Sequence, residues 1–583
     1  ITSKIHDEVM KELTTFKFEI KGRKLINSNF ITIDDKEAMC LDDAISLSQN
    51  KDGSYNFYVG ITDIPSLINS DEVKGIVRLY LASRNPDNDD DAFDNATVNK
   101  FVDILKKVLF DDDSAFDEYD PKDILESVEE LYSYYRSLLR VSVINLSDNK
   151  IIGNEFRTID TQFNDLVRKA YRILEEKLQG FENRTYRQVN AATNATILVQ
   201  QQDWKIPAGY EELKDIDFIN TVMLRPPMMM HTKSNKREGV FSEVKDNPIE
   251  RFRGERGKWY CYPAKIGESL AFIYFNVDYL VNGIDLSNLF EIASPDEIKG
   301  QKPDMILLFG LKETEGMVSH YYRDEKNDLW VGEVPYTDKT TYFGYMKKMC
   351  LTLHNLHQIY NGRLPIHGSM LKIKFTNGKE KNVVFFGDSG AGKSESIEAL
   401  QELADDKIVS METIFDDMGS FTLTDGEPGV YAQGTETGAF VRLDDLSSAV
   451  AFNNMDRGVY LNPEQKNARV IIPADTYENV IKHHHIDMWL YANNYSDEVG
   501  IHRFDTKEEA EKVFIAGQRK ALGTTDEVGM SKTFFANPFG PVQEPELTKP
   551  IIDNVFTKLF DQDVYVGEIF THLSNDKSKD SLK

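Results

Sequence analysis

Residues 387–394 read Gly-Asp-Ser-Gly-Ala-Gly-Lys-Ser. The apolar run 382–386 (Asn-Val-Val-Phe-Phe) precedes them, and Ile397, Leu400 and Leu403 follow at helical spacing. A buried strand, a glycine-rich turn and a helix start are what a phosphate-binding loop needs. The glycines let backbone N–H groups converge on phosphate oxygens, and the helix N-terminus adds favourable electrostatics. The spacing assigns Lys393 to the β- and γ-phosphates and Ser394 to the divalent cation. Asp388, Ser389, Gly390, Ala391 and Gly392 form the cradle. The loop by itself names neither the nucleotide nor the phosphate acceptor.

Other polar residues stand in apolar surroundings. Asp416-Asp417 ends the short run Thr413-Ile414-Phe415, downstream of the loop, where a carboxylate could hold the metal that bridges the phosphates. Two aspartates are also an ordinary surface turn. His367 lies in Leu364-Pro365-Ile366-His367-Gly368-Ser369, where a structural histidine is the commoner case. Lys347-Lys348 lie between Met346 and Met349, as on many surface helices. Arg469 borders the strand-like Val470-Ile471-Ile472, and such an arginine often forks onto a carboxylate or phosphate. His483-His484-His485 point different ways on a strand, so a shared ion is not expected there.

These groups need a scaffold, and 583 residues can supply one: roughly three or four domains, or two large ones, at ~100–200 residues each. Apolar residues make up 41% and charged residues 28%, a globular composition. Acidic residues outnumber basic ones 96 to 68, a formal charge of −28. That balance makes a nucleic-acid partner unlikely on sequence grounds, since such a surface must neutralise phosphates. A local basic cleft for an anionic small substrate is compatible with it. Cys40, Cys261 and Cys350 are far apart and form no CxxC pair, which points to a reducing, cytoplasmic compartment. No stretch approaches ~18 consecutive apolar residues, so no membrane span is expected.

Strands are expected near 30–34 and 55–62, and helices over 96–109 and 122–140, the latter with Ile124, Val128, Leu131, Tyr135 and Leu138 at steps of three and four. The runs 304–309, 382–386 and 487–491 read as buried strands. Turn-rich residues at 200–210 suggest a boundary. The fold expected is mixed α/β (α+β), with a nucleotide-binding core from roughly 340 onward.

Taken in order, the segments 342–348 (Tyr-Phe-Gly-Tyr-Met-Lys-Lys), 364–367 (Leu-Pro-Ile-His), 385–394, 415–417 (Phe-Asp-Asp) and 467–470 (Asn-Ala-Arg-Val) resemble ATP-type phosphoenolpyruvate carboxykinases. Lys302-Pro303-Asp304 agrees with that family's N-terminal lobe. Residues 514–525 and 534–540 agree with its C-terminal part. The resemblance spans about 225–575. It implies a two-lobed P-loop fold, with an N-terminal α+β region at 1–205, an N-terminal lobe at 206–340 and a C-terminal lobe at 341–583. It further implies ATP, Mg²⁺ and Mn²⁺ as cofactors and a small carboxylate as substrate. Lys348, His367 and Asp417 would hold Mn²⁺, the lysine as a neutral amine, with Asp416 beside them and Ser394 on Mg²⁺. Lys393 and Arg469 would neutralise the transferring phosphoryl group. Tyr342 would lie near the substrate, and Arg442 stands where the family has a lysine. The implied reaction converts oxaloacetate and ATP to phosphoenolpyruvate, CO₂ and ADP.

Two departures bear on the substrate. The family's arginine after its C-terminal Gly-Thr is replaced by acids in Gly523-Thr524-Thr525-Asp526-Glu527. In 231–236 (His-Thr-Lys-Ser-Asn-Lys), Lys233 would replace the arginine that binds substrate carboxylate, losing its bidentate fork. The related HPr kinases share the scaffold and phosphorylate protein hydroxyls, so a kinase of proteins or metabolites, or a nucleotide sensor, is the alternative. A second, shorter resemblance covers 22–64. There Asp34, Asp42 and Asp43 match the metal-binding aspartates of RNase II/R-type exoribonucleases, and Cys40 stands at another metal position. With that ligand missing, nuclease activity is not expected.

Overall fold

A computed structural model describes residues 30–32, 43–49, 55–61, 64–84, 95–146, 155–312, 319–388, 390–393, 396, 407–423, 429–443, 452–522 and 528–571. They fall into two compact units: 1–138 with 154–192, and 139–153 with 193–583.

The first unit contains a three-stranded antiparallel sheet, Phe30–Thr32, Asp43–Gln49 and Tyr55–Ile61. Asp43 opens its middle strand, whereas Asp34, Cys40 and Asp42 lie outside the described residues. Helices follow. The expected ones run over Asn95–Leu109 and Pro121–Ser137. The second begins where it does because the Asp120 carboxylate accepts from the Lys122 N–H at 2.8 Å and Pro121 presets the first turn. Val98, Val102 and Leu105, spaced by four and three, are buried with Ile124, Val128 and Leu174 of the long helix Glu155–Gln179.

The second unit is mixed α/β with several mixed sheets. In a ten-stranded sheet the expected strand appears as Met305–Leu311, with all seven residues buried between parallel neighbours Ser269–Asn276 and Leu329–Pro335. Alternate residues serve two cores: Leu307 and Phe309 one, Ile306 and Leu308 the other. Burial on both faces is why this strand reads as a continuous apolar run. Ala195–Gln200, before the turn-rich stretch at 200–210, pairs antiparallel with Asp217–Leu224 beyond it.

A nine-stranded sheet is built around the long strand Leu364–Phe375. It pairs antiparallel with Glu380–Phe386 on one side, and with Ile408–Phe415 and Met418–Leu423 on the other. Glu380–Phe386 pairs parallel with Met488–Asn493, which pairs parallel with Tyr565–Phe570. The helix Gly344–Tyr360 packs most of its length into the first core. A four-stranded sheet joins Gly438–Arg442, Arg469–Pro473, Val459–Leu461 and Met228–Met230. Among the described residues no helix is long and apolar enough to cross a membrane.

Candidate functional site

The strand Glu380–Phe386 runs straight into the glycine turn. Gly390 and Gly392 have φ of 79° and 99°, a left-handed region that residues with a Cβ seldom adopt. Lys393 then starts helical backbone, and Ser396 N–H donates to the Gly392 carbonyl at 3.0 Å. Asn494 and Thr571 pin the turn by donating to the Gly390 and Ala391 carbonyls. The Lys393 ammonium is buried and donates to the Gly387 and Asp388 carbonyls at 2.6 and 3.2 Å. Ser389 and Ser394 lie outside the described residues.

Asp416-Asp417 is a two-residue break between two strands that both pair with Leu364–Phe375. It lies opposite Gly368 and Ser369. Gly368 N–H donates to the Asp417 carbonyl at 3.1 Å, and Ser369 Oγ donates to the Asp416 carbonyl at 2.5 Å. Position 368 must be glycine, because a Cβ there would stand 2.3 Å from the Phe385 carbonyl oxygen. One residue earlier, the His367 carbonyl accepts from Gly387 N–H at 3.2 Å. One strand thus holds His367, the aspartate pair and the start of the glycine turn in a fixed register.

Side chains converge on Asp417. Lys348 Nζ is 2.6 Å and Lys347 Nζ 2.7 Å from its Oδ2, and His367 Nε2 is 3.2 Å from its Oδ1. Lys347, with no exposed surface, also meets Glu436 Oε1 at 3.0 Å. Burial pushes Lys348 down to about 8, with the Lys347 charge adding to it and Asp417 opposing. Burial works against charge on Lys347 too, but Asp417 and Glu436 together outweigh it and raise its pKa. Burial would also raise Asp417, yet Lys347, Lys348 and His367 hold it well below the usual carboxylate range. Asp416 goes the other way: burial and the Asp417 charge raise it, against the pull of Lys393 and Lys347. Burial lifts Glu436 to about 7, with Lys347 opposing.

His367 Nδ1 lies 2.9 Å from the Ala536 carbonyl. If Nδ1 carries the proton, the Nε2 lone pair is directed toward Asp417, the tautomer a metal-bound imidazole takes. Nδ1 also lies 3.6 Å from Oδ1 of Asp388, in the glycine turn. Asp388 Oδ2 in turn accepts from Arg519 Nε at 3.0 Å. Among the described residues no group of three or more His, Cys, Asp or Glu side chains is placed to hold a metal ion. The cluster offers one imidazole, one carboxylate and a lysine amine with a lowered pKa. These three donors suit a single divalent ion that accepts nitrogen and oxygen ligands.

Arg442 and Arg469 face each other as a cross-strand pair. The Arg469 guanidinium lies 5.5 Å and the Lys347 ammonium 5.6 Å from the Phe440 ring, whose centroid is 5.9 Å from that of Tyr342. The buried Nε of Arg469 has no hydrogen-bond partner among the described residues.

The structure therefore brings Lys348, His367 and Asp417 together, with Asp416 adjoining. Phe440 links Tyr342 and Arg469 to Lys347. Lys233 behaves differently: its ammonium pairs with Asp338 at 2.7 Å, with both side chains more than half exposed. His484 and His485 form a short strand against Ala432 and Tyr431, and His484 Nε2 lies 3.1 Å from the Asn479 carbonyl.

Sequence reasoning passed over Glu436, Arg519, Arg237, Phe440 and Phe539. Glu436 carried a signal, as the sole charge in Gly434-Thr435-Glu436-Thr437-Gly438 between two apolar strands. The others carried none, because the contacts that join them to the cluster come from far away in the chain. No family model matches the chain.

Proposed function

We propose that this protein catalyses phosphoryl transfer with ATP and acts as a carboxykinase-like lyase on oxaloacetate or another small carboxylate, in the cytoplasm. The observation that carries this reading is the convergence of Lys348, His367 and Asp417 from a helix, a strand and a strand break. A plain kinase has no need of a lysine–histidine–aspartate metal site. A carboxykinase does, because an enolate must be stabilised while CO₂ leaves.

In this reading Lys348, His367 and Asp417 would hold Mn²⁺. When bound, that ion supplies Lewis-acid stabilisation for an enolate oxygen. Burial, with the Lys347 charge, lowers Lys348 to about 8, so a cation would displace its proton more easily than from an ordinary lysine. Lys393, which donates to the Gly387 and Asp388 carbonyls, would hold the nucleotide's terminal phosphates, and Ser394 would hold Mg²⁺. Arg469, with Arg442 opposite it on the ladder, would receive the charge of the transferring phosphoryl group. Tyr342 would border the substrate. The carboxykinase-like two-lobed arrangement belongs to the same proposal.

The exposed pairing of Lys233 with Asp338 favours a second reading, a kinase acting on a different metabolite or a protein through the same nucleotide site. The test is an assay coupling oxaloacetate, ATP and Mn²⁺ to phosphoenolpyruvate formation. Turnover that requires all three supports the carboxykinase. No turnover, with ATP still raising the melting temperature, would reject it and leave the second reading.

A further inference from the structure

We propose that Arg237, rather than Lys233, is the cation that receives the carboxylate of a small anionic substrate. The inference rests on the phosphoryl-transfer reading for the identity of the neighbouring site.

Lys233 is spent on a solvated pair with Asp338. Four residues later the Arg237 guanidinium lies over two aromatic rings, 5.0 Å from the centroid of Phe241 and 5.4 Å from that of Phe539. It donates to the nearby Gly239 carbonyl, and no carboxylate pairs with it among the described residues. The titratable groups that act on it are the Tyr345 and Tyr342 phenols. Burial lowers its pKa, the mark of a charge taken from water without a counter-charge.

Phe539 ties this guanidinium to the cluster. The Lys348 ammonium is 4.8 Å from the same ring, and the His367 and Phe539 centroids are 6.4 Å apart. The segment that carries Arg237 is fixed in place. Thr232 N–H donates to Asn462 at 2.8 Å, Asn467 donates to the Asn235 carbonyl at 2.5 Å, and Lys233 N–H donates to Thr341 at 3.1 Å. A planar guanidinium held against aromatic rings binds a carboxylate through two parallel N–H bonds, which lysine cannot do. A compact ligand with a carboxylate at one end and an oxygen at the other could span from Arg237 to the Lys348–His367–Asp417 cluster. An oxo acid or a dicarboxylate has that form.

The test uses oxalate, with and without Mn²⁺, titrated calorimetrically into the full chain and into R237Q, R237K and K233Q. The melting-temperature rise with ATP is followed in each as a check on folding. R237Q is expected to weaken oxalate by at least about tenfold, R237K by less, and K233Q to change it little, with the ATP response kept in all. Loss of oxalate binding in K233Q with retention in R237Q overturns the assignment. So does a wild-type chain that responds to ATP but not to oxalate. If R237Q loses its ATP response through misfolding, R237K decides: unchanged oxalate affinity there overturns the assignment. Oxalate binding that depends on Arg237 in a chain indifferent to ATP would sink the nucleotide reading and leave the anchor standing.

Discussion

Lys347 and Lys348, adjacent in one helix, both place their ammonium groups within 2.7 Å of the same oxygen of Asp417, yet their proton affinities move in opposite directions. The difference lies in the second partner. Lys347 has Glu436 as well and keeps its proton. Lys348 must share Asp417 and faces the Lys347 charge, so it gives its proton up more readily. Two residues of one type thereby differ in proton affinity, one held as a fixed charge and the other lowered by burial and its neighbour's charge.

A cation that needs the neutral Lys348 amine competes with a proton below about pH 8. Mn²⁺ affinity should rise up to about tenfold per pH unit as pH approaches that value and level off above it. Replacing Lys348 by Met should weaken binding and flatten the profile. Water-proton relaxation of bound Mn²⁺ gives the measurement, and an unchanged pH profile in the variant would contradict the assignment.

Glu436 should leave a trace in stability. Its pKa is raised in the folded protein from 4.5 to about 7. The stability it contributes is complete below pH 4.5 and lost as pH climbs through 7, because the folded state holds the proton more tightly. Glu436→Gln, which resembles the protonated form, should remove that component. Urea unfolding across pH 4 to 8 would compare the slopes.

Breaking the pair beneath the site should be costly. Lys347→Met leaves Glu436 buried without its cation, and a loss of about 3–5 kcal/mol is expected. Adding Glu436→Gln should restore part of it, a coupling that a double-mutant cycle reads directly. Purely additive effects would show that the two residues act independently.

Arg469 presents a trade. Arg469→Met removes a buried guanidinium nitrogen that has no hydrogen-bond partner among the described residues, so the chain without nucleotide should be as stable or up to about 1 kcal/mol more stable. The same change should sharply reduce the melting-temperature rise with ATP. A variant that loses stability while keeping its ATP response would contradict the anion-binding role.

Lys393→Ala should abolish the ATP response. For the wild-type chain, ligand at a hundred times its dissociation constant stabilises by about 2.7 kcal/mol. Persistence of that gain in the variant would remove the glycine turn from the binding site.

Much of this framework could be read in the chain itself. The strand before the glycine turn was visible because Val383, Val384, Phe385 and Phe386 are successive buried positions. The helix at 121–137 was visible because its buried side follows steps of three and four. Asp417 and His367 stood out as polar residues inside apolar runs. What stayed hidden depends on contacts across long stretches of chain: Arg519 with Asp388, Lys347 with Glu436, Arg237 with Phe539. Local pattern records which way a side chain points within its own element, and it does not record which distant element arrives to meet it. Lys233 shows the converse. Its position suggested a substrate cation, and a nearby aspartate holds it at the surface.

The Asp388 carboxylate, in the glycine turn, accepts from Arg519 Nε through one oxygen and lies 3.6 Å from His367 Nδ1 through the other. On the proposed reading, a triphosphate in the turn would bring negative charge toward that carboxylate and so toward the imidazole beside it. Whatever this does to the affinity of the imidazole for a cation, the cation must do in equal measure to the affinity for the triphosphate. On that reading the two ligands would be coupled through a single side chain, and titrating either one in the presence of the other would measure the coupling.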